Sequence, residues 1–175
     1  MIDPYRLMYF RGGIYLFAFV EEYQQIRTFA VERIETIEKL RDSFEKPPDF
    51  SVESYLESAF GLVKEEPFDV NIIFNKEIAE YVRSRVWHPS QQVREIGDGR
   101  IRMKMHVGGE FELGSWILSF GSSAVVVSPD RLRRRVEAEL ARALDNYRVE
   151  VTVAPTRKAK KIESRKAAAA AVRRS

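Results

Sequence analysis

Two hydrophobic runs lie near the start of the chain, and a glycine pair separates them. Residues 5–10 are mostly aromatic or apolar, residues 14–20 are apolar on both faces, and Gly12-Gly13 stands between them. Two β-rich runs joined through a glycine pair are typical of a hairpin. A strand that is apolar on both faces is expected at the centre of a sheet or inside a barrel. The pattern therefore predicts a hairpin whose second strand is central.

A third run, residues 26–34, follows a polar turn and carries two arginines. In an extended run, alternate side chains share one face. Here that face would carry two arginines around two apolar residues: Arg27, Phe29, Val31 and Arg33. Such a face could bind a ligand, or it could be an exposed strand edge that charge protects from pairing. From these residues alone, the protected edge is the favoured interpretation.

Residues 44–67 have the pattern of a linker. Pro47-Pro48 stops regular structure, and Ser51 can cap a short helix that ends at Gly61. The charged stretch 64–67, which ends in a proline, predicts a boundary between two compact units. The first unit would then comprise residues 1–43, and the second would comprise residues 68–150.

The second unit alternates strand and helix patterns. The predicted elements are a strand at 68–74, a helix at 76–86, a hairpin of strands 87–96 and 100–107, a helix at 110–120, a strand at 124–127, and a last helix that Ser128-Pro129 starts and that runs to about Tyr147. In the last helix, five residues are expected to be buried: Leu132, Val136, Leu140, Leu144 and Tyr147. Strand, helix, hairpin, helix, strand is the ferredoxin-like order, here with one extra C-terminal helix. The fold class is therefore α+β.

Charge is distributed unevenly between the body of the chain and its C-terminus. The 175 residues include 29 lysines and arginines and 26 acidic residues, a net charge of +3. Residues 155–175 hold eight of the basic residues and one acidic residue, a charge of +7, which leaves −4 on the rest. We predict that residues 151–175 form a basic, disordered tail, and a solvated tail is favoured over a specific nucleic-acid arm.

Several classes of function and location are disfavoured by composition. The chain has no cysteine, which excludes disulfides and thiolate zinc sites and fits a reducing cytoplasm. No apolar run approaches the ~20 residues of a membrane span. The two histidines, His88 and His106, belong to no recognisable triad or metal spacing, and there is no P-loop. We therefore expect a cytoplasmic protein that is not an enzyme and uses no cofactor or metal.

Ordered short motifs along residues 4–147 resemble the WYL-domain transcriptional regulators of bacteria. In the first unit they are Pro4-Tyr5-Arg6-Leu7, Gly13-Ile14-Tyr15-Leu16, Arg27-Thr28-Phe29 and Glu32-Arg33-Ile34, which are similar to the second half of a WYL domain. In the second unit they are Ser90-Gln91, Gly97-Asp98-Gly99, Glu112-Leu113, Trp116-Ile117-Leu118, Gly121, Val127-Ser128-Pro129, Leu132 and Tyr147, which are similar to the extension that follows that domain.

The resemblance implies a part of an SH3- or Sm-like barrel that senses an effector, in some members single-stranded DNA or another nucleotide ligand. The family's basic and tyrosine residues correspond here to Tyr15, Arg27 and Arg33, and less directly to Arg6 and Tyr5. With the resemblance, ligand contact becomes the favoured interpretation of the arginine pair, because guanidinium forks suit phosphate and an aromatic ring can stack on a base. A homodimer is expected, and duplex DNA would be bound only through a helix-turn-helix domain.

Two departures from the family pattern bear on this interpretation. Ile14 stands where the namesake tryptophan is expected. The chain also begins inside the WYL pattern, so we expect the helix-turn-helix and the first barrel strands to be absent. The alternative to effector sensing is a truncated remnant or a non-catalytic module that dimerises through the second unit. Four arginines near the start of its last helix, Arg131, Arg133, Arg134 and Arg135, could bind an anion or form a solvated face with Glu137 and Glu139.

Overall fold

The computed structural model describes residues 1–148. The predicted tail, residues 151–175, lies outside the described residues. The chain forms two compact units, Met1–Ala138 and a second that begins at Glu139. The first unit contains both sheets of the α+β fold, and the second is described only for the C-terminal half of the last helix. In the described part of the chain, no helix has both the length and the apolar character that a membrane crossing requires.

The first sheet has three antiparallel strands in the order β1-β2-β3. They are β1 (Ile2–Phe10), β2 (Gly13–Val20) and β3 (Gln25–Ala30). Gly12 has a φ of 92°, a conformation that glycine adopts without strain, and this permits the tight turn between β1 and β2. Phe17 and Ala18 on β2 are fully buried. The predicted hairpin and the central position of its second strand are confirmed.

The third strand is shorter than its pattern predicts. It ends at Ala30, and Val31–Arg33 forms a 3₁₀ turn. Side chains alternate between two faces only in an extended strand, so Arg33, which lies in the turn, is not on the strand face that carries Arg27. The expectation of one extended run through residue 34 is therefore wrong. The open three-stranded sheet is not a closed barrel.

The linker covers one face of this sheet. Its helix α1 (Val52–Tyr55) is capped as predicted, since the Ser51 hydroxyl accepts the backbone N–H of Ser54 at 3.3 Å. Val52 and Leu62 pack with Phe17 in a small hydrophobic core. The Tyr55 hydroxyl donates to the Ile26 carbonyl at 2.9 Å. The linker is thus a part of the packed structure: it is hydrogen-bonded to β3, and its apolar side chains pack against the first sheet.

The second sheet has four antiparallel strands in the order β5-β6-β4-β7. The elements are β4 (Phe68–Phe74), α2 (Lys76–Arg83), β5 (Gln92–Glu95), β6 (Ile101–Val107), α3 (Glu110–Leu118), β7 (Ala124–Ser128) and α4 (Asp130–Arg148). This strand order, with helices after the first and third strands, is that of a ferredoxin-like βαββαβ unit. The main hydrophobic core lies between this sheet and its helices, and Ile101, Met103 and Val107 on β6 are fully buried.

Helices α2 and α3 end at Arg83 and Leu118, earlier than the predicted residues 86 and 120. Residues 68–148 differ from the sequence prediction in three further details. Strand β5 begins at Gln92 rather than at residue 87, because residues 87–91 form a turn in which the Gln91 side chain accepts the Trp87 N–H at 2.7 Å. Helix α4 begins at Asp130, one residue after Pro129. Within α4, Leu132 and Val136 are buried as expected, but Leu140, Leu144 and Tyr147 are exposed.

Candidate functional site

A groove of about 590 Å³ lies where the first sheet meets the linker and the start of α3. On the sheet side it is lined by Arg11, Tyr15 and Arg33. On the other side it is lined by the linker backbone at Leu62 and Val63 and by Phe111 and Glu112 of α3. Its volume lies within the ~300–1,000 Å³ typical of ligand pockets. It is larger than the cavity of about 150 Å³ that Arg6 lines.

Local sequence explains how Tyr15 and Arg33 reach this groove. Tyr15 lies on β2 opposite Met8 and Ala30, on the sheet face that the linker covers. Its ring lies against Gly13, where an added Cβ would be 3.0 Å from the ring. Arg33 is carried to the groove by the 3₁₀ turn that ends β3. The departure from the predicted strand is therefore what brings Arg33 near Tyr15.

The groove carries two guanidinium groups without acidic partners. Among the described residues, neither Arg11 nor Arg33 has a carboxylate within 4.0 Å. Of the two acidic residues that line the groove, Glu32 and Glu112, the second is committed to backbone hydrogen bonds. Guanidinium groups bind phosphate and carboxylate with two parallel hydrogen bonds. The groove therefore offers charge that suits an anionic ligand.

Glu112 fixes the linker wall of the groove. Its carboxylate accepts the backbone N–H groups of Leu62 at 3.0 Å and of Val63 at 3.1 Å. The approach requires glycine at position 61, because an added Cβ there would lie 2.0 Å from the Glu112 Oε1 atom. Through Glu112, helix α3 thus holds the linker residues that form one wall of the groove.

The other three predicted site residues lie elsewhere. Arg27 pairs with Ala18, on the sheet face opposite Tyr15, and its guanidinium lies 3.6 Å from the centroid of the Tyr23 ring. Arg6 lines a separate cavity of about 150 Å³ together with Lys46 and Glu53. Tyr5 packs in an aromatic cluster, with ring centroids 6.5, 6.1 and 5.1 Å from those of Phe19, Phe44 and Phe50. The structure therefore brings together Tyr15 and Arg33 and leaves Arg27, Arg6 and Tyr5 outside the groove.

The groove residues that the sequence did not identify as site residues include Arg11, Phe111 and Glu112. Arg11 lies in a hairpin turn, where charged residues are common and carry no signal of their own. Phe111 carried a usable signal, since it is an aromatic residue outside the apolar stripe of its helix. Glu112 was noted in the sequence as part of the Glu112-Leu113 motif, and its linker partner Leu62 is 50 residues away in sequence.

The two histidines have structural partners. His88 is buried, and its Nδ1 atom lies 2.7 Å from the Ser90 hydroxyl. That hydroxyl is also hydrogen-bonded to the backbone N–H and C=O of His106, both at 3.0 Å. Burial lowers the pKa of His88, against an opposing contribution from the backbone of Glu57. Within residues 1–148, no cluster of histidine, aspartate or glutamate could hold a metal ion.

The four arginines near the start of α4 divide into two kinds. Arg131 and Arg135 lie 3.0 and 4.0 Å from the Glu110 carboxylate of α3. Arg133 and Arg134 are exposed. The pairing with Glu110 connects α3 and α4, whereas the sequence left open both the binding of an anion and a solvated face with partners within α4.

Comparisons with known proteins match both halves of the chain. A WYL domain is found at residues 1–39 and a WCX domain at residues 66–144. The chain is 25% identical over 158 residues to Protein PafC of Mycobacterium tuberculosis (strain CDC 1551 / Oshkosh), which covers 84% of this chain and 45% of PafC. It is 26% identical over 153 residues to Protein PafC of Mycobacterium leprae (strain TN), covering 85% of this chain and 45% of that protein.

Among solved structures, the chain is similar to the proteasome accessory factor B/C (PafBC) of Arthrobacter aurescens. The identity is 20%, the TM-score is 0.41, and the match covers 83% of this chain and 22% of that one. The chain spans about half the length of the curated relatives that it matches. With a WYL segment followed by a WCX domain, the chain belongs to the WYL-domain transcriptional regulator family.

Proposed function

We propose that this chain is the effector-binding regulatory portion of a WYL-type transcriptional regulator, and that it binds a nucleotide or a single-stranded nucleic acid in the groove. The observation that carries the proposal is a pair of guanidinium groups, Arg11 and Arg33, that line the groove with Tyr15 and have no carboxylate partner among the described residues. Family membership supports a regulatory role. In this proposal the chain catalyses no reaction, and the protein acts in the cytoplasm.

The chemistry of the groove favours a nucleotide over other anions. Arginine forks bind phosphate oxygens, and aromatic rings stack on bases with little dependence on sequence. Tyr15 and Phe111 supply rings within the same groove as the two arginines. A simple inorganic anion would leave these rings unused. A ligand with both a phosphate and a planar base would use both kinds of group.

The test is binding of a labelled short single-stranded DNA, followed by fluorescence anisotropy at two salt concentrations. Arg33→Ala should weaken binding roughly tenfold or more, since a hydrogen bond to a charged group contributes about 1.5–3 kcal/mol. Arg134→Ala removes the same charge from an exposed position on α4 and should leave affinity unchanged. Equal effects of the two substitutions would mean that only overall charge matters, and the groove would then not be the site.

The basic C-terminus needs its own control, because eight basic residues attract phosphates without any specific site. A variant that ends at Val153 lacks this charge. If the shortened protein binds and still depends on Arg33, the binding belongs to the groove. If only the full chain binds, the affinity comes from the C-terminal residues, and the proposal fails.

Duplex-DNA binding is proposed only for a complete regulator, since the chain corresponds to less than half of the curated relatives. A ligand in the groove would influence such binding by stabilising one arrangement of the sheet, the linker and α3. In this proposal, ligand contacts of Arg27, Arg6 and Tyr5 are secondary to those in the groove. Arg27→Ala tests this for Arg27, and it should weaken ligand binding less than Arg33→Ala does.

A second candidate function, a non-catalytic interaction module, is favoured by one surface. On the sheet face away from the linker, Leu7 is 61% and Tyr9 is 74% exposed, and Ile14 beside them is also exposed. Contiguous apolar patches of this kind mark interaction sites. If the chain is mainly a homodimer, Tyr9→Ser should shift it toward monomer in sedimentation experiments. An unchanged mass would argue against self-association through this face.

A further inference from the structure

Phe111 is a large aromatic side chain that the core of its own domain does not use. It is the second residue of α3 and is 65% exposed, whereas Leu113, Trp116 and Ile117 of the same helix are buried. It comes from the WCX domain and lines the same groove as Arg11 and Arg33 of the WYL segment. A single exposed apolar residue is ordinary on a protein surface. Phe111, however, shares its groove with two arginines that have no carboxylate partner among the described residues, and this combination suggests a ligand.

The residues on either side of Phe111 hold it in place. The Glu110 N–H donates to the Glu65 carboxylate at 3.0 Å, and the Glu110 carboxylate is paired with Arg131 at 3.0 Å. Glu112 is held by the linker amides of Leu62 and Val63. The backbone at Phe111 is therefore fixed from both sides. A residue held in this way loses little conformational entropy when a ligand binds it.

A third contact acts on the ring itself. The guanidinium group of Arg135 lies over the Phe111 ring, 5.1 Å from its centroid. A cation near an aromatic ring restrains the ring through its quadrupole and leaves the rest of the ring surface open. The ring is thus oriented and still largely exposed.

We propose that Phe111 is a base-stacking residue, supplied by the WCX domain to the ligand groove of the WYL segment. The ligand would place phosphate at Arg11 and Arg33 and a base against Phe111, so that it spans the two domains. This inference rests on the proposed function and deepens it, since it requires the ligand to carry a base. It also makes the groove a site that neither domain completes alone.

The test compares two labelled single strands of equal length and charge, oligo-dT and an abasic strand, with the full chain. Phe111→Ala should weaken oligo-dT binding about 5- to 150-fold, the range that loss of one stacked base implies. Binding of the abasic strand should not change. Phe111→Leu keeps an apolar side chain of similar size and should behave like Phe111→Ala, whereas Phe111→Tyr should bind like the wild type. Thermal unfolding checks that each variant is folded.

A direct signal comes from Phe111→Trp. Oligo-dT should quench the fluorescence of the new tryptophan, and the abasic strand should not, because only a stacked base quenches through ring contact. Val125→Trp, at an exposed position on β7, provides the matched control and should show no quenching.

The outcomes separate this inference from the proposed function. If the wild type binds neither strand, the proposed function fails and this inference with it. If Arg33→Ala weakens oligo-dT binding and Phe111→Leu does not, effector binding stands and stacking by Phe111 is refuted. If Phe111→Ala weakens both strands equally, the residue acts through the shape of the groove, which also overturns stacking.

Discussion

At the scale of single residues, the carboxylate of Glu112 is the contact that most clearly joins the linker to α3. It accepts two successive backbone N–H groups, and Gly61 leaves the space for it. Glu112→Ala should lower the free energy of unfolding by about 1–3 kcal/mol, since the amides of buried Leu62 and exposed Val63 both lose a charged acceptor. Urea unfolding measures the change. Glu137→Ala, at an exposed position on α4, is the control and should change stability little.

Because Glu112 and position 61 are in contact, the effects of Glu112→Ala and Gly61→Ala on the free energy of unfolding should not add. In the wild type, the new methyl group would displace the carboxylate and break its hydrogen bonds. In the Glu112→Ala background nothing is left to displace, so Gly61→Ala should be nearly neutral there. A double-mutant cycle should give a coupling energy of about 0.5–3 kcal/mol. If the two effects simply add, the close approach of position 61 to Glu112 does not determine stability.

His88 predicts a pH dependence of stability. Burial lowers its pKa in the folded protein below the ~6.5 of an unperturbed histidine. The unfolded chain therefore binds more protons as the pH falls through that range, and the contribution of neutral His88 to stability is lost below about pH 6.5. His88→Asn should reduce this loss between pH 7.5 and 5.5, measured by urea unfolding at each pH. His106→Asn removes the smallest of the contributions to the His88 pKa and leaves the burial of His88 in place, so it should retain most of this loss.

At the scale of elements, the two sheets differ in how much of each strand is buried. Met103 on the central strand β6 is fully buried, whereas Leu7 on the edge strand β1 is largely exposed. Met103→Ala should cost about 2–5 kcal/mol, the usual range for a large-to-small change in a core. Leu7→Ala should cost less than about 1 kcal/mol. Comparable losses in the two variants would mean that the open sheet face is covered in solution.

The elements also show which parts of the fold the sequence could predict. Strand β6 and the β1–β2 hairpin follow from alternation and turn glycines, because both signals are local. The ferredoxin-like order follows from the succession of these elements. The end of β3 could not be predicted, since nothing between Ala30 and Arg33 breaks a strand pattern. The exposure of Leu140 and Leu144 could not be predicted either, because amphipathic spacing does not reveal whether a partner surface is present.

The candidate site was harder to predict than the fold, for a related reason. Tyr15 and Arg33 were singled out from the resemblance, and the structure places both in the groove. Arg27 was expected on the same face as Arg33 because both were assigned to one extended run. Arg11 and Phe111 contribute to the groove from a turn and from another domain, and no spacing within one element could connect them. Sites that form between elements depend on tertiary contacts that sequence periodicity does not encode.

At the scale of the whole molecule, the linker connects the WYL and WCX segments, which lie together in the compact unit Met1–Ala138. The linker is bonded to β3, where Thr28 donates to the Leu62 carbonyl at 3.1 Å. It is also bonded to the WCX segment, where the Phe60 N–H donates to the Gly108 carbonyl at 3.0 Å and the Phe60 ring packs 5.0 Å from that of Trp116. A ligand that binds in the groove, as proposed, would therefore act on both sheets through the linker.

This connection predicts where a protease cuts the native protein. Glu53 and Glu57 lie in the hydrogen-bonded part of the linker, whereas Glu38 and Glu45 lie in an exposed stretch without helix or strand. Cleavage of a folded chain requires local opening, which is costly where the backbone is bonded and packed. A glutamate-specific protease should therefore cut after Glu38 or Glu45 well before Glu53 or Glu57, as mass spectrometry of the early fragments would show.

Glu112→Ala should speed cleavage at Glu57, because it removes hydrogen bonds that hold the linker against α3. Early cleavage at Glu53 or Glu57 in the wild type would mean that the linker opens independently, and a ligand could then not couple the two sheets through it.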